Sequence, residues 1–223
     1  MIRKSALTWC FAVAALAAVA IAAGPAPTTR PSATQAADKN VIELFDGKTL
    51  KNWKATEFGG EGECQVENGQ IAVGAGSTLS GVNWVGGALP KVNYEIELDA
   101  MKVNGSDFFL GLTFPYKESH ASIVLGGWGG SLVGISSING NDAANNEYTR
   151  VREFPKNKWV HVKLRVTPDK IKVWLDKEEE AILDVDTKDV QIGLRADIDA
   201  ARPLGLSTFQ TAAAYKNITL KKL

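Results

Sequence analysis

Residues 119–152 bring together most of the side chains in this chain that could bind a sugar. Trp128 lies within the run Gly126–Ser131, where glycines allow a ligand to approach the backbone while the indole stays available. The polar loop 139–150 follows, and its amide, carboxylate and guanidinium groups are suitable partners for sugar hydroxyls. Because apolar ring faces stack on tryptophan, this combination predicts a carbohydrate site.

The predicted ligand surface uses side chains from both parts of this segment. Its members are Trp128, Asn139, Asn141, Glu147 and Arg150, with His120 and Trp84 at its margin. An alternative explains the same residues without a ligand, because glycine and asparagine are ordinary turn residues and Trp128 could cap the core.

Metal binding is a separate question for the same polar loop. Its Asn, Asp and Glu oxygens could hold calcium, although their spacing does not fit the EF-hand pattern. No His and Cys cluster has the spacing of a zinc site. We therefore expect no cofactor, with calcium as the alternative.

A second group of carboxylates, Glu95, Glu97 and Asp99, alternates along one predicted strand. Glycoside cleavage usually needs two carboxyl groups placed across a cleft. These three project from one face at steps of about 7 Å. We interpret the row as a solvated outer face rather than as an acid–base pair.

The elements that position these groups are predicted to be strands throughout the folded region. Residues 93–103 alternate apolar and acidic side chains with a period of two. Glycine, proline, asparagine and aspartate interrupt such segments about every ten residues, which is typical of a sandwich or barrel. The further predicted strands are 107–114, 121–125, 132–138, 181–185, 190–194 and 205–209.

One hairpin can be registered from the sequence. The strands 158–166 and 170–175 flank a turn in which Pro168 has the fixed φ that the second turn position prefers. Pairing Val166 with Ile171 places the pairs Leu164–Val173 and Val162–Leu175 on the same apolar face. A slip of one residue would spoil every pair, so the register is strongly determined.

The first 39 residues differ in composition from the rest of the chain. Basic residues precede an apolar run that ends in small residues, which predicts a signal peptide over 1–23. Residues 24–39 are rich in Pro, Thr, Ser and Ala and predict an extended linker. Residues 40–223 are then a single β-sandwich domain of a protein that is secreted or periplasmic.

Charge and cysteine content exclude several partners. The formal net charge is zero, and no stripe of Lys or Arg appears, so nucleic acid is not expected as a partner. We likewise expect no membrane partner once the signal peptide has been removed. Cys64 is the only cysteine of the domain, which leaves no intramolecular disulfide.

Several short motifs resemble the 3-keto-disaccharide hydrolase family, and the likeness extends over residues 41–223. They are the opening 39–53, the elements 66–69, 104–110 and 191–194, and the ending 215–223. The Trp159 hairpin also resembles laminin-G-like sandwiches. The resemblance implies an all-β, concanavalin-like jelly roll of two antiparallel sheets. Where members commonly have a His-Gly pair after the 191–194 element, this chain has Arg195-Ala196-Asp197.

The resemblance also implies a chemistry, the cleavage of a glycoside whose sugar carries a 3-keto group. The ketone would acidify the C2 proton, so that a base and an oxyanion stabiliser are required. The candidates are Glu147 or His120 as the base, with Arg150 or Arg152 as the electrostatic partner.

Three functions therefore stay open at this point. The chain is an exported enzyme acting on keto-glycosides or related sugars, a glycan-binding sandwich without catalysis, or a structural envelope module. An enzyme needs a carboxylate or His and a cation that converge on one pocket, whereas a binder needs only the aromatic surface and amides.

Overall fold

The computed structural model describes residues 40–223, and almost all of their regular structure is strand. The predicted signal peptide and linker lie outside the described residues. The fifteen strands of the described region are β1 (Val41–Glu43), β2 (Trp53–Ala55), β3 (Cys64–Glu67), β4 (Gln70–Val73), β5 (Leu79–Trp84), β6 (Tyr94–Asn104), β7 (Leu110–Tyr116), β8 (Ser119–Gly126), β9 (Leu132–Ser136), β10 (Arg150–Val151), β11 (Trp159–Val166), β12 (Lys170–Leu175), β13 (Leu183–Asp186), β14 (Gly205–Phe209) and β15 (Ala212–Lys222). A helical turn, Gly127–Gly130, and a 3₁₀ helix, Ala196–Ala201, are the helical elements there.

These strands form two antiparallel sheets. Sheet I has eight strands in the order β13-β12-β11-β6-β15-β4-β3, with β1 also paired to β15. Sheet II has seven strands in the order β10-β9-β8-β7-β14-β5-β2. The all-β jelly-roll prediction is confirmed, and the strand at 190–194 is replaced by an isolated bridge between Ile138 and Ile192.

The core lies between the inner faces of the two sheets, where alternate apolar side chains of each strand meet. Tyr94, Ile96, Leu98 and Ala100 of β6 are all fully buried. Tyr215 of β15 crosses the core and donates a hydrogen bond of 2.7 Å from its hydroxyl to the carbonyl oxygen of Phe109. This bond links the two sheets and satisfies a hydroxyl that would otherwise be buried without a partner.

The predicted registers are confirmed. In the β11–β12 hairpin, Val166 pairs with Ile171, Leu164 with Val173 and Val162 with Leu175. The first and last strands are adjacent, because residues 41–43 of β1 pair with residues 219–221 of β15.

The outer face of sheet I carries long charged side chains that pair across strands. Arg165 Nε donates to Glu95 Oε1 at 2.6 Å, and Lys163 Nζ lies 3.2 Å from the same oxygen. Asp99 Oδ1 lies 2.9 Å from Nδ1 of His161. The acidic row of β6 is thus an outer face, and its charges are paired with the basic row of β11.

The outer face of sheet II carries short side chains instead. Two cross-strand rows of this face consist of small or polar residues with the exception of Val124. They are Asn83, Gly205, Thr113, Ser122 and Ser136 in one row, and Gly81, Ser207, Gly111, Val124 and Gly134 in the other. Short side chains let other segments lie directly on the sheet.

Within residues 40–223, none of the helices has the length and apolar character needed to cross a bilayer.

Two segments cover this face. A Cβ atom at Gly205 would lie 2.6 Å from the Cβ of Ala201, so the 3₁₀ helix can approach only because that position is glycine. A Cβ at Gly134 would lie 2.9 Å from the Cβ of Ala143, in the polar loop. Both distances are far shorter than ordinary carbon–carbon contacts.

Candidate functional site

A cavity of about 270 Å³ opens on the outer face of sheet II, between the 3₁₀ helix and the polar loop. Its floor is formed by β8 and β9 through Ser122, Val124 and Ser136. One end is aromatic and the other is charged. The aromatic end contains Phe108, Trp128 and Phe209, with Asp107 beside Trp128, and the charged end contains Asp142, Arg195 and Asp197.

Trp128 lies at the tip of the β8–β9 hairpin, in a conformation that its neighbours impose. Its φ is 47° and its ψ is 56°, in the left-handed region that side chains seldom adopt. Gly126 and Gly129 are also left-handed, and the backbone N–H of Gly129 donates to Asp107 Oδ2 at 3.3 Å. The indole stays 47% exposed, so the tip presents an aromatic surface beside the cavity rather than capping the core.

Arg195 organises the charged end. Its Nη2 and Nε donate to the two carboxylate oxygens of Asp197 at 2.8 and 3.1 Å. Its Nη1 lies 3.4 Å from Asp142 Oδ2, across the cavity on the polar loop. The hydrogen bond with Asp197, together with the charges of Asp197 and Asp142, raises the pKa of Arg195 above its usual value. The guanidinium is therefore held by one edge while its third nitrogen faces the cavity.

Asp142 is fixed by its own loop. Its Oδ1 accepts from the backbone N–H of Ala144 at 3.0 Å and from Asn145 Nδ2 at 2.8 Å. Asn146 anchors the loop to β9, because its Nδ2 donates to the carbonyl oxygen of Ile135 at 2.9 Å. The bonds from Ala144 and Asn145 occupy Oδ1, and within residues 40–223 Oδ2 accepts only the 3.4 Å hydrogen bond from Arg195 Nη1. Asp142 can therefore act on a bound molecule through Oδ2.

The sequence matches the 3-keto-alpha-glucoside-1,2-lyase-like domain over residues 40–221. The chain belongs to this family. The match spans the two sheets described above and confirms the resemblance to 3-keto-disaccharide hydrolases. Comparison with curated protein sequences gave no significant match.

Solved structures share the fold of this 3-keto-alpha-glucoside-1,2-lyase-like domain at low identity. A candidate glycosyl hydrolase from Parabacteroides distasonis ATCC 8503 has a TM-score of 0.52 at 16% identity, covering 82% of this chain and 94% of its own. The Crh5 transglycosylase in complex with NAG has a TM-score of 0.57 at 10% identity, covering 82% and 83%. The Emp46p carbohydrate recognition domain has a TM-score of 0.52 at 12% identity, covering 77% and 88%. These likenesses concern the fold alone.

Of the residues predicted for the site, Trp128 lines the cavity of this lyase-like domain. Asn139 and Asn141 instead build a turn beside it. Asn139 and Gly140 have φ values of 51° and 79°, the pair of left-handed residues that a two-residue hairpin requires. Asn139 Oδ1 accepts from the backbone N–H of Gln191 at 2.7 Å, so its amide holds two loops together.

The other predicted charged residues do not line the cavity. Glu147 is exposed on the far part of the loop, and Arg150 donates to backbone oxygens of Glu147 and Thr149. Arg152 forms ion pairs of 2.6 Å with Asp176 and Glu178.

Trp84 and His120 also lie away from the cavity. Trp84 is buried, meets the Trp53 ring edge-on at 5.5 Å, and donates from Nε1 to the carbonyl oxygen of Gly87. It is a core residue, because both its ring and its N–H have protein partners. His120 shares the outer face of β8 with Ser122 but lies nearer the start of the strand. Burial and the nearby charge of Arg202 lower the pKa of His120.

The oxygens of the polar loop serve its own turns. Asp142 Oδ1, Asn146 Oδ1 and Asn139 Oδ1 all accept hydrogen bonds from nearby N–H groups. Across residues 40–223, no group of three or more His, Cys, Asp or Glu side chains converges as metal ligands do. The calcium alternative stays a prediction.

Four charged residues of the cavity were absent from the predicted site, namely Asp107, Asp142, Arg195 and Asp197. Asp142 belongs to the polar loop that the sequence indicated, and the other three lie in or beside motifs of the family resemblance. Asp107 belongs to the turn before β7, and Arg195 and Asp197 stand where members commonly have a His-Gly pair. The signal was therefore present in the motifs, whereas composition directed attention to the adjacent asparagine-rich loop.

Proposed function

We propose that this protein is a carbohydrate-active enzyme that cleaves glycosides of 3-keto sugars by elimination across C1 and C2. Membership of the lyase-like family supports the reaction class. The observation that carries the proposal is the convergence of Trp128, Asp142 and Arg195 on one cavity. A base and a cation within one pocket are what the reaction needs.

Each of these side chains has a defined task in the proposed reaction. Trp128 stacks on the apolar face of the sugar ring. Asp142 Oδ2 takes the proton from C2, which the adjacent ketone acidifies. The electron pair moves into an enolate with its charge on the C3 oxygen, and Arg195 stabilises that charge because its Nη1 faces the cavity.

The second half of the reaction regenerates the base. The enolate electron pair forms the C1–C2 double bond as the bond from C1 to the glycosidic oxygen breaks. The departing oxygen takes the proton back from Asp142. Water is not consumed, so the products are an alcohol and an unsaturated 3-keto sugar.

A direct assay uses methyl 3-keto-α-glucopyranoside in ¹⁸O-labelled water. We expect release of methanol, appearance of ultraviolet absorbance from the conjugated product, and no label at C1. Methyl α-glucopyranoside is the matched control, because without the ketone its C2 proton is not acidic. Labelled oxygen at C1 of the first-formed product would contradict elimination and indicate hydrolysis.

The second candidate function is glycan binding without catalysis. It is favoured by one observation, that the carboxylates of both Asp142 and Asp197 already contact Arg195. Such a cluster can bind hydroxyls without taking a proton. Calorimetry distinguishes the two, since saturable binding of the keto-sugar with no turnover supports this candidate.

We further propose that the protein acts outside the cytoplasm, since residues 1–23 have the composition of a signal peptide. Mass spectrometry of the protein recovered from cells tests this. We expect a chain that begins near residue 23, and an intact chain that fractionates with membranes would contradict the proposal.

A further inference from the structure

One hydroxyl on the cavity floor is buried without a partner. Ser136, in β9, is 3% exposed, and its Oγ has no hydrogen-bond partner within residues 40–223. Buried polar groups in native proteins are nearly always paired, so an exception requires an explanation.

The neighbouring hydroxyls do not supply the missing partner. Ser136 lies opposite Ser122 of β8, which in turn lies opposite Thr113 of β7. The hydroxyls of Ser122 and Thr113 are 2.7 Å apart and bond to each other. Of the three hydroxyls in this row, two bond to each other and that of Ser136 has no partner among the described residues. Ser136 is also a residue that lines the cavity.

The position of Ser136 suits contact with a bound ring. It shares the cavity floor with Ser122 and Val124. A serine hydroxyl moves between staggered positions by rotation about one bond, without movement of the strand. Its hydrogen can thus turn toward a molecule in the cavity.

We infer that Ser136 is a specificity-determining residue. Its hydroxyl donates a hydrogen bond to one exocyclic oxygen of a pyranose bound in this cavity. The inference rests on the proposed function, because it uses the same site. A site built to hydrogen-bond a substrate oxygen discriminates strongly against an analogue that lacks that oxygen.

The molecule offers two matched controls. Ser207 and Thr208 of β14 are also fully buried, and their hydroxyls also have no hydrogen-bond partner within the described region. Neither residue lines the cavity, so Ser207→Ala and Thr208→Val remove an equivalent unpaired hydroxyl elsewhere in sheet II. Ser136→Cys keeps the volume close to that of serine and offers only a weak donor.

The experiment measures the affinity of the purified protein for methyl 3-keto-α-glucopyranoside and its 2-, 4- and 6-deoxy analogues by calorimetry. We expect Ser136→Ala to weaken binding of the parent sugar about tenfold, the usual size for one lost hydrogen bond. For one deoxy analogue, the variant and the unaltered protein should bind equally, because the partner oxygen is already missing. The unfolding temperature should be unchanged or slightly higher in both Ser136→Ala and Ser207→Ala.

The outcomes separate this inference from the proposed function. Equal affinity of Ser136→Ala and the unaltered protein for every sugar overturns the role of Ser136 alone. An equal loss of affinity in Ser207→Ala also overturns it, since the effect would then be structural. If Ser136→Ala does not fold, the comparison with Ser136→Cys decides in the same way. If the unaltered protein binds none of these sugars, both the inference and the proposed function fail.

Discussion

The two outer faces of the sandwich arise from the same alternating pattern but have opposite properties. On sheet I, the alternate positions carry long charged side chains, and Glu95, Lys163 and Arg165 bond to one another across strands. On sheet II, they carry mainly glycine, serine and threonine, and the 3₁₀ helix and polar loop lie directly on them. On sheet I the paired charged side chains cover the outer face, whereas on sheet II the short side chains leave space for a cavity and include unpaired hydroxyls.

The difference shows that carboxylates close together in a sequence need not form an active site. Glu95, Glu97 and Asp99 stand together in the chain, but each is paired with a basic residue of β11. Asp142 and Asp197 are 55 positions apart in the numbering, and Arg195 joins them at the cavity. Proximity in space to an open cavity, and not proximity in sequence, distinguishes the carboxylates that are available for chemistry.

The largest expected effect comes from removing one carboxylate from each outer face and comparing the two variants. Asp142→Asn should lower kcat on the keto-glycoside about 10²- to 10⁴-fold, because an amide cannot accept the C2 proton. Asp99→Asn removes a carboxylate from the outer face of sheet I and should leave kcat unchanged. Steady-state kinetics of the two folded variants test the comparison, and an equal loss in both would place the chemistry elsewhere.

Replacing one guanidinium on each face gives the next effect. Arg195→Lys should lower kcat about 10²-fold, because lysine cannot hold Asp197 by one edge while directing a donor into the cavity. Arg165→Lys alters a side chain that bonds Glu95 and lies over the Trp174 ring, and should leave kcat unchanged. A loss confined to KM in Arg195→Lys would assign that residue to binding alone.

The exposed tryptophan gives a smaller effect, on affinity rather than on turnover. Trp128→Ala should weaken binding of the keto-sugar about tenfold through loss of ring stacking. The unfolding midpoint should change little because the indole is 47% exposed. Trp174→Ala, on the outer face of sheet I, is the control and should not alter affinity. Unfolding of the Trp128 variant would show that the indole supports the hairpin.

The smallest effect concerns stability and pH on sheet I. Burial opposes ionisation of Glu95, but hydrogen bonds from Arg165 and Lys163 outweigh it and lower the pKa below its usual value of 4.5. The ionised group therefore adds stability above about pH 4.5, and this contribution is lost as the pH falls through the folded-state pKa.

Glu95→Gln should accordingly lower the free energy of unfolding by about 1 kcal/mol at pH 7, with the difference from the unaltered protein shrinking on acidification. Urea titrations at pH 7, 5 and 3 measure this difference. The exposed Glu57 serves as control, and Glu57→Gln should give no difference. A deficit that stays constant down to pH 3 would mean that packing, rather than charge, is lost.

Much of the fold could be predicted because strand pairing depends on local pattern. The alternation in β11 and β12 determines which face is apolar, and a register shifted by one residue would expose that face. The pairing of β1 with β15 followed from motifs at the two ends of the domain. The strand predicted at 190–194 is wrong, because this segment forms a single bridge, from Ile192 to Ile138, rather than a ladder.

The site was predicted only in part because its residues come from separate strands and loops. Trp128 could be identified, since glycines on both sides of an aromatic residue allow a ligand to approach the backbone while the indole stays available. The position of Arg195 over Asp142 could not, because it depends on the 3₁₀ helix lying on glycine positions of sheet II. Trp84 was assigned to the margin by residue type, and its burial against Trp53 depends on the pairing of β2 with β5.

The placement of the last two strands has a consequence for how the protein acquires its structure during synthesis. β14 lies between β7 and β5 in sheet II, and β15 lies between β6 and β4 in sheet I. A ribosome delivers residues 205–222 after the other strands of this domain, and until then both sheets have a gap at their centre. Neither sheet can close before these residues emerge, so folding of the domain must await synthesis of its last two strands. Slow, non-local assembly of this kind is characteristic of β-sandwiches.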